Sequence, residues 1–204
     1  MTADEFAKLV GDYVVHKTAS SNLDCINKHG LMCAETLAQK AGIPSNYLVL
    51  RKERLQGTLD GFPVILNDQK PLRAGQNKLE FLEGHSMESW SKQLDQRVFF
   101  WPQRRGAAFN KRLSDETGGL HEFLLDSRKL HRQFKDNLYL SPINSGNATR
   151  SPSKRGDWLY VCVATKSPEQ FKRNRQMERA DRVAEISLTA DIPPVLLQEL
   201  GWKT

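Results

Sequence analysis

The sequence predicts one domain of the α+β class, and three observations predict it. Short apolar, β-branched runs stand between helical segments of unequal length, without the regular strand–helix–strand alternation of a doubly wound sheet. No glycine-rich G-x-G-x-x-G turn is present, which disfavours a Rossmann-type dehydrogenase. A chain of 204 residues is one domain of ordinary size and long enough to bury a substantial core.

The elements follow in order. Residues 4–11 read as a short helix feeding a strand over 12–16, and His16 and Thr18, two apart, share one face of that run. Ser20-Ser21-Asn22 makes a cap-like start to a helix over 21–29, with Leu23 and Ile26 on one face and Gly30 as its stop. A helix over 33–41 ends at Gly42, and Pro44 prevents its continuation. Leu48-Val49-Leu50 leads into the charged run Arg51-Lys52-Glu53-Arg54 at the edge of a ligand groove, and Pro63–Leu66 reads as a buried strand end before an Asn67-Asp68-Gln69 turn.

Residues 75–95 look helical through Leu79, Leu82, Met87, Trp90 and Leu94, and Val98–Trp101 is a strongly strand-forming run ended by Pro102. A helix over 106–113, a strand over 122–126, a helix near 127–133 and a strand near 137–140 come next. Residues 141–157 form the longest irregular stretch, rich in Ser, Asn, Gly, Pro and basic residues, and suit a binding loop or lid. Strands over 158–164 and 183–189 bracket a basic helix over 168–180, and a short helix closes the chain.

Composition narrows the function. The formal net charge of +6 suits nucleic acid or the phosphates of a dinucleotide, although it is also an ordinary solubility charge. Cys25, Cys33 and Cys162 are odd in number and lack a C-x-x-C pair, which fits a reducing, cytoplasmic setting. No apolar leader follows Met1 and no run of about 18 apolar residues occurs, so a soluble protein without a membrane span is expected. The five histidines have no metal-ligand spacing, and no metal is expected. Asp126 and Asp157 have no carboxylate partner at readable spacing, so a two-carboxylate hydrolase is not signalled.

The junction around His16, Thr18 and Asn22 gathers polar side chains and a helix start at one spot, an arrangement suited to phosphates or ribose hydroxyls. The plainer reading is a half-buried strand edge followed by an ordinary cap. The order His16-x-Thr18, Asn22-Leu23 and a helix ending at Gly30-Leu31 resembles the NAD-binding signature of DarT-type ADP-ribosyltransferase toxins and of a related uncharacterised (DUF7002-like) bacterial family. Arg182–Leu188, then Ile192-Pro193 and Val195–Leu200, resembles the segment carrying those toxins' catalytic glutamate. The middle, including Asp68–Leu72, Arg97–Pro102 and Ser141–Gly146, is more similar to the uncharacterised family.

This resemblance implies an ADP-ribosyltransferase-like fold over 1–204, with a central split antiparallel or mixed sheet flanked by helices, NAD as co-substrate and no metal. Glu185 and Arg54 would be catalytic. NAD would lie against His16, Thr18, Asn22, Gly30, Leu31, Arg51 and Arg54, the choice of pyrophosphate ligand between Arg51 and Arg54 staying open with Arg54 preferred. Asn144, Ser145, Arg150, Lys154 and Arg155 would bind the acceptor, a DNA or RNA base, in a toxin- or phage-defence-like role with an antitoxin as a possible partner. The alternatives are a protein or small-molecule acceptor, or an inactive domain that binds NAD or nucleic acid. The plain readings are a Glu185 that faces water on a one-sided sheet, a solvated turn at Arg51–Arg54 and a surface turn at 144–147.

Overall fold

A computed structural model describes residues 1–76, 80–106, 119–149 and 153–201. Its framework is a six-stranded antiparallel sheet of β1 (Tyr13–Ala19), β4 (Val98–Pro102), β5 (Leu120–Asp126), β6 (Leu138–Ser141), β7 (Val161–Cys162) and β8 (Glu185–Leu188). The order is β5-β1-β4-β8-β6-β7. A separate hairpin joins β2 (Leu55–Leu59) to β3 (Phe62–Leu66). The fold is α+β, as the mixture of elements predicts.

Strand alternation divides the sheet into two faces. Val14, Phe100, Leu138, Leu140, Ile186 and Leu188 point into the main core, where Phe6 and Val10 of helix Ala3–Val10 and Leu130 of helix Ser127–Phe134 cover them. Thr2 and Glu5 form a reciprocal capping box that fixes the start of the first helix. On the opposite face Phe99 and Tyr139 pack against a second cluster built on Leu72, Trp90, Leu94 and Tyr160. The sheet is thus covered on both sides, and polar residues on the second face are withdrawn from bulk water.

The seam between β1 and β4 matters most for the site. These strands share two registered pairs, Val14 with Pro102 and Val15 with Trp101, whereas β1 stays paired to β5 along its whole length. Past Val15 the His16 ring bridges the seam to the Phe99 carbonyl.

Several boundaries differ from the sequence reading. The first strand runs to Ala19, because pairing with β5 carries it past the polar residues. Among the described residues of the helix expected over 75–95, Met87–Asp95 is helical, capped by Ser86: Gly84 has φ 75°, and Phe81 and Glu83 exchange backbone hydrogen bonds with Arg155. The basic helix over 168–180 stops at Lys172, where Asp181 draws the chain back by bonding the Arg175 backbone and guanidinium. The strand over 158–164 shortens to Val161–Cys162 after a turn of 3-10 helix over Asp157–Leu159. Most of the helix expected over 106–113 lies outside the described residues. Among the described residues no helix is long and apolar enough to cross a membrane.

Candidate functional site

A cavity of about 670 Å³ opens at the β1–β4 seam, a size suited to a small molecule. One wall is β1 with the helix Leu23–His29, a second is β3 of the hairpin, and a third is the Asn144–Asn147 turn. His16, Thr18, Asn22, Gly30, Leu31, Arg51 and Arg54 all line it, so the residues to which the resemblance gives NAD, from segments 16–31 and 51–54, meet at one place. Ile26, Met32, Leu37, Val64 and Leu66 supply apolar surface between them.

Each polar group has a definite state. His16 Nδ1 lies 2.9 Å from the Phe99 carbonyl. A carbonyl only accepts, so Nδ1 carries the hydrogen and Nε2 keeps a lone pair. Burial pushes this imidazole down to about 4, against a smaller opposing effect of the Phe99 hydrogen bond, so it is neutral at pH 7. The ring is an acceptor for a hydroxyl.

Asn22 does not cap its helix. Its amide nitrogen donates to Thr18 Oγ1 at 3.0 Å and to the Ile65 carbonyl at 2.9 Å, and its oxygen accepts from the Ile65 N–H at 2.6 Å. The side chain therefore fastens β3 to the strand–helix junction and sets the width of the cavity. Gly30 has φ 89°, and an added Cβ would stand 2.3 Å from the Ile192 carbonyl oxygen. Leu31 forms an antiparallel bridge with Ile192, so its N–H and C=O are both engaged. These two residues shape the wall without offering the Leu31 backbone to a ligand.

The arginines differ in kind. Arg51 is buried, its guanidinium forked onto Asp95 at 2.5 and 2.9 Å and further bonded to the carbonyls of Leu48 and Asn67. Gln69 adds a bond to Asp95 and one from the Arg51 N–H, closing a polar network in the cavity wall. Arg51 is a structural ion pair, its charge already matched. Arg54 is half-buried at the cavity, in a loop and not on a helix turn. Arg97, whose only sequence cue was its place at the head of an aromatic strand, also lines the cavity, stacked 3.8 Å over the Tyr160 ring and 4.9 Å from the Tyr139 ring.

Glu185 is 3% exposed, so it does not face water on an open sheet. Ser187 pairs with Phe99 and Tyr139, and Glu185, two residues before it on β8, shares its face. That is the face from which Arg97 and Phe99 meet the cavity. Glu185 and Ser145 nevertheless stand behind the lining and not in it. Ser145 covers the carboxyl, its hydroxyl donating to Oε1 at 2.6 Å and its N–H at 3.3 Å. Burial raises this carboxyl to about 7, against the lowering effects of the Ser145 bonds and the Arg155 and Arg97 charges. Such a group holds or releases a proton at neutral pH.

The acceptor set separates. Arg155 is 2% exposed, donates to the Ser145 and Asn147 carbonyls, and lies over the Phe81 ring, so it holds the turn and does not reach outward. Trp90 Nε1 also donates to the Ser145 carbonyl. Ser145 is fully buried, Asn144 lines the cavity, and Lys154 is exposed beside Glu83. Arg150 lies outside the described residues. The 141–157 stretch is consequently pinned at Ser145 and Asn147, because a buried guanidinium and an indole fix its backbone there. Among the described residues no cluster of His, Cys, Asp and Glu could hold a metal ion.

No curated protein and no solved structure matches the chain. One family profile does, described as a family of unknown function (DUF7002), over residues 12–198. The matched region runs from the first residues before β1 to the closing helix and so contains every wall of the cavity. The chain belongs to this DUF7002 family.

Proposed function

We propose that the protein is an NAD-dependent ADP-ribosyltransferase whose NAD lies in the β1–β4 cavity and whose acceptor is a nucleic-acid base. The observation that carries the reading is the convergence of His16, Thr18, Asn22, Gly30, Leu31, Arg51 and Arg54 on one cavity. Neutral His16 would accept from a ribose hydroxyl through Nε2, and Asn22 and Thr18 would hold the wall behind it. Arg51 is spent on Asp95, which leaves Arg54 as the better of that pair for a ligand phosphate.

In the reaction the bond between the nicotinamide nitrogen and ribose C1′ breaks and a bond from the acceptor to C1′ forms, through a transition state of oxocarbenium character. The acceptor's proton passes to Glu185, whose carboxylate also opposes the positive charge on the ribose. Glu185 stands on β8, two strand spacings or roughly 10 Å from β1, on the face of Arg97 and Phe99, whereas His16 and Thr18 alternate with Val14 on the other face, so the reacting ribose has to lie in the open β1–β4 seam to meet both. For this step Ser145 has to yield the carboxyl. The net charge of +6 and exposed Arg104, Arg105 and Lys154 suit a polyanionic acceptor. A reducing cytoplasmic setting and a toxin- or defence-like role, with an antitoxin partner, belong to the same proposal.

A second reading, NAD binding without turnover, is favoured by one feature: Ser145 caps Glu185 away from the cavity. Incubation with NAD labelled in its ADP-ribose portion and separate pools of DNA, RNA and protein distinguishes the two. Label in nucleic acid supports the first, label in protein moves the acceptor, and binding without label in any pool supports the second.

A further inference from the structure

Resting on the NAD reading of the cavity, we infer that Arg97 is a second residue, beside Arg54, that receives the ligand's negative charge, making this wall a diphosphate subsite. Two independent observations carry it. The first is charge matching. Of the basic side chains on the cavity besides Arg54, already assigned to the phosphates, Lys17 is paired with Glu122 at 3.1 Å and Arg51 is forked onto Asp95. Arg97 has no carboxylate within salt-bridge distance among the described residues; its one side-chain hydrogen bond is a 3.3 Å contact from Nη1 to the neutral Ser187 hydroxyl.

The second observation is an idle donor. Arg97 Nε is buried without a hydrogen-bond partner, a costly arrangement for a cation unless a ligand completes it. The guanidinium is meanwhile held 3.8 Å over the Tyr160 ring, so its position is set before any ligand arrives. Nearby Arg155 adds positive charge around Glu185, and its donors are used on backbone carbonyls. The region therefore carries an excess of buried cation, and a diphosphate supplies the missing anion with two oxygens for a planar fork.

The test uses the full chain and titrates NAD, ADP, adenosine and inorganic pyrophosphate by calorimetry into wild type, Arg97→Gln and Arg97→Lys. Loss of a charge-assisted contact predicts that Arg97→Gln weakens ADP and pyrophosphate roughly ten- to hundredfold, with adenosine changed by less than about threefold. Arg97→Lys falls between, because an ammonium is a point charge without the fork. Equal ADP affinity in wild type and Arg97→Gln overturns the assignment, and if NAD still binds in that case the NAD reading survives without it. Pyrophosphate held through Arg97 while NAD and adenosine do not bind supports the anion site and refutes the NAD reading. A wild-type protein that takes none of the probes overturns both. Should Arg97→Gln fail to fold once its stacking on Tyr139 and Tyr160 is lost, Arg97→Lys decides: unchanged ADP and pyrophosphate affinity overturns the inference, and a selective loss supports it.

Discussion

Replacing Glu185 by glutamine should make the protein relatively more stable as the pH rises, although it removes the residue assigned to catalysis. In the folded chain the Glu185 carboxyl keeps its proton up to about 7, whereas the ordinary value is 4.5. The native state therefore binds more protons than the unfolded one between these values, and wild-type stability falls through that window as the pH rises. Above it the full cost of the buried charge is present, at most about 3 kcal/mol. Glutamine carries no charge and escapes this loss. Its amide hydrogens, set near Arg97 and Arg155, which only donate, bring a penalty of roughly 1–3 kcal/mol that does not vary with pH. The pH slope is thus the diagnostic, not the absolute stability. Urea unfolding of both proteins from pH 4.5 to 8.5 should show the difference moving in favour of Glu185→Gln by up to about 3 kcal/mol, on the order of 6–12 °C in Tm for a domain of this size. A difference that stays flat across this range would refute the buried, proton-holding carboxyl.

Other expectations follow from the same geometry. Arg51→Ala should cost about 3–5 kcal/mol in urea unfolding, since it strands Asp95 in the interior, whereas Arg54→Ala should cost less than about 1 kcal/mol and weaken NAD binding in calorimetry; the reverse pattern would exchange their roles. Gly30→Ala should lose at least about 2 kcal/mol, because φ 89° and the Ile192 carbonyl both exclude a Cβ, and retained stability would contradict the wall geometry. The His16 imidazole should titrate by NMR at about 4 as the Nδ1–H tautomer, so stability drops as pH falls from 6.5 toward 4; a midpoint near 6.5 would place the ring in water.

Local chemistry was legible in the sequence and long-range pairing was not. The strand–helix–Gly30 segment could be read because its alternation and stop act within a few residues. The Asp60-Gly61 turn, with both residues at positive φ, is a hairpin signal that points to β2 as the partner of the Pro63–Leu66 strand, which the sequence reading leaves without one. The overlong helices over 75–95 and 168–180 reflect apolar or polar patterns that tertiary bonds interrupt at Arg155 and Asp181. Arg51 looks like a ligand residue until Asp95, 44 positions away, is found against it. Arg155 reads as a surface cation in a loop, but the carbonyls of Ser145 and Asn147 draw it inside. The β8 position of Glu185 followed from alternation, whereas its Ser145 cover depends on a turn 40 residues away.

The central claim is that the β1–β4 cavity takes NAD and that Glu185 acts on it. Its most direct test is parallel measurement, on wild type and Glu185→Gln, of NAD affinity by calorimetry and of label transfer from NAD to nucleic acid. The predicted result is NAD affinity equal within a few-fold for the two proteins, with transfer present in wild type and largely lost in the variant, because the side chain acts on the transition state more than on binding. Absence of NAD binding by wild type, or transfer by Glu185→Gln at the wild-type rate, would contradict it.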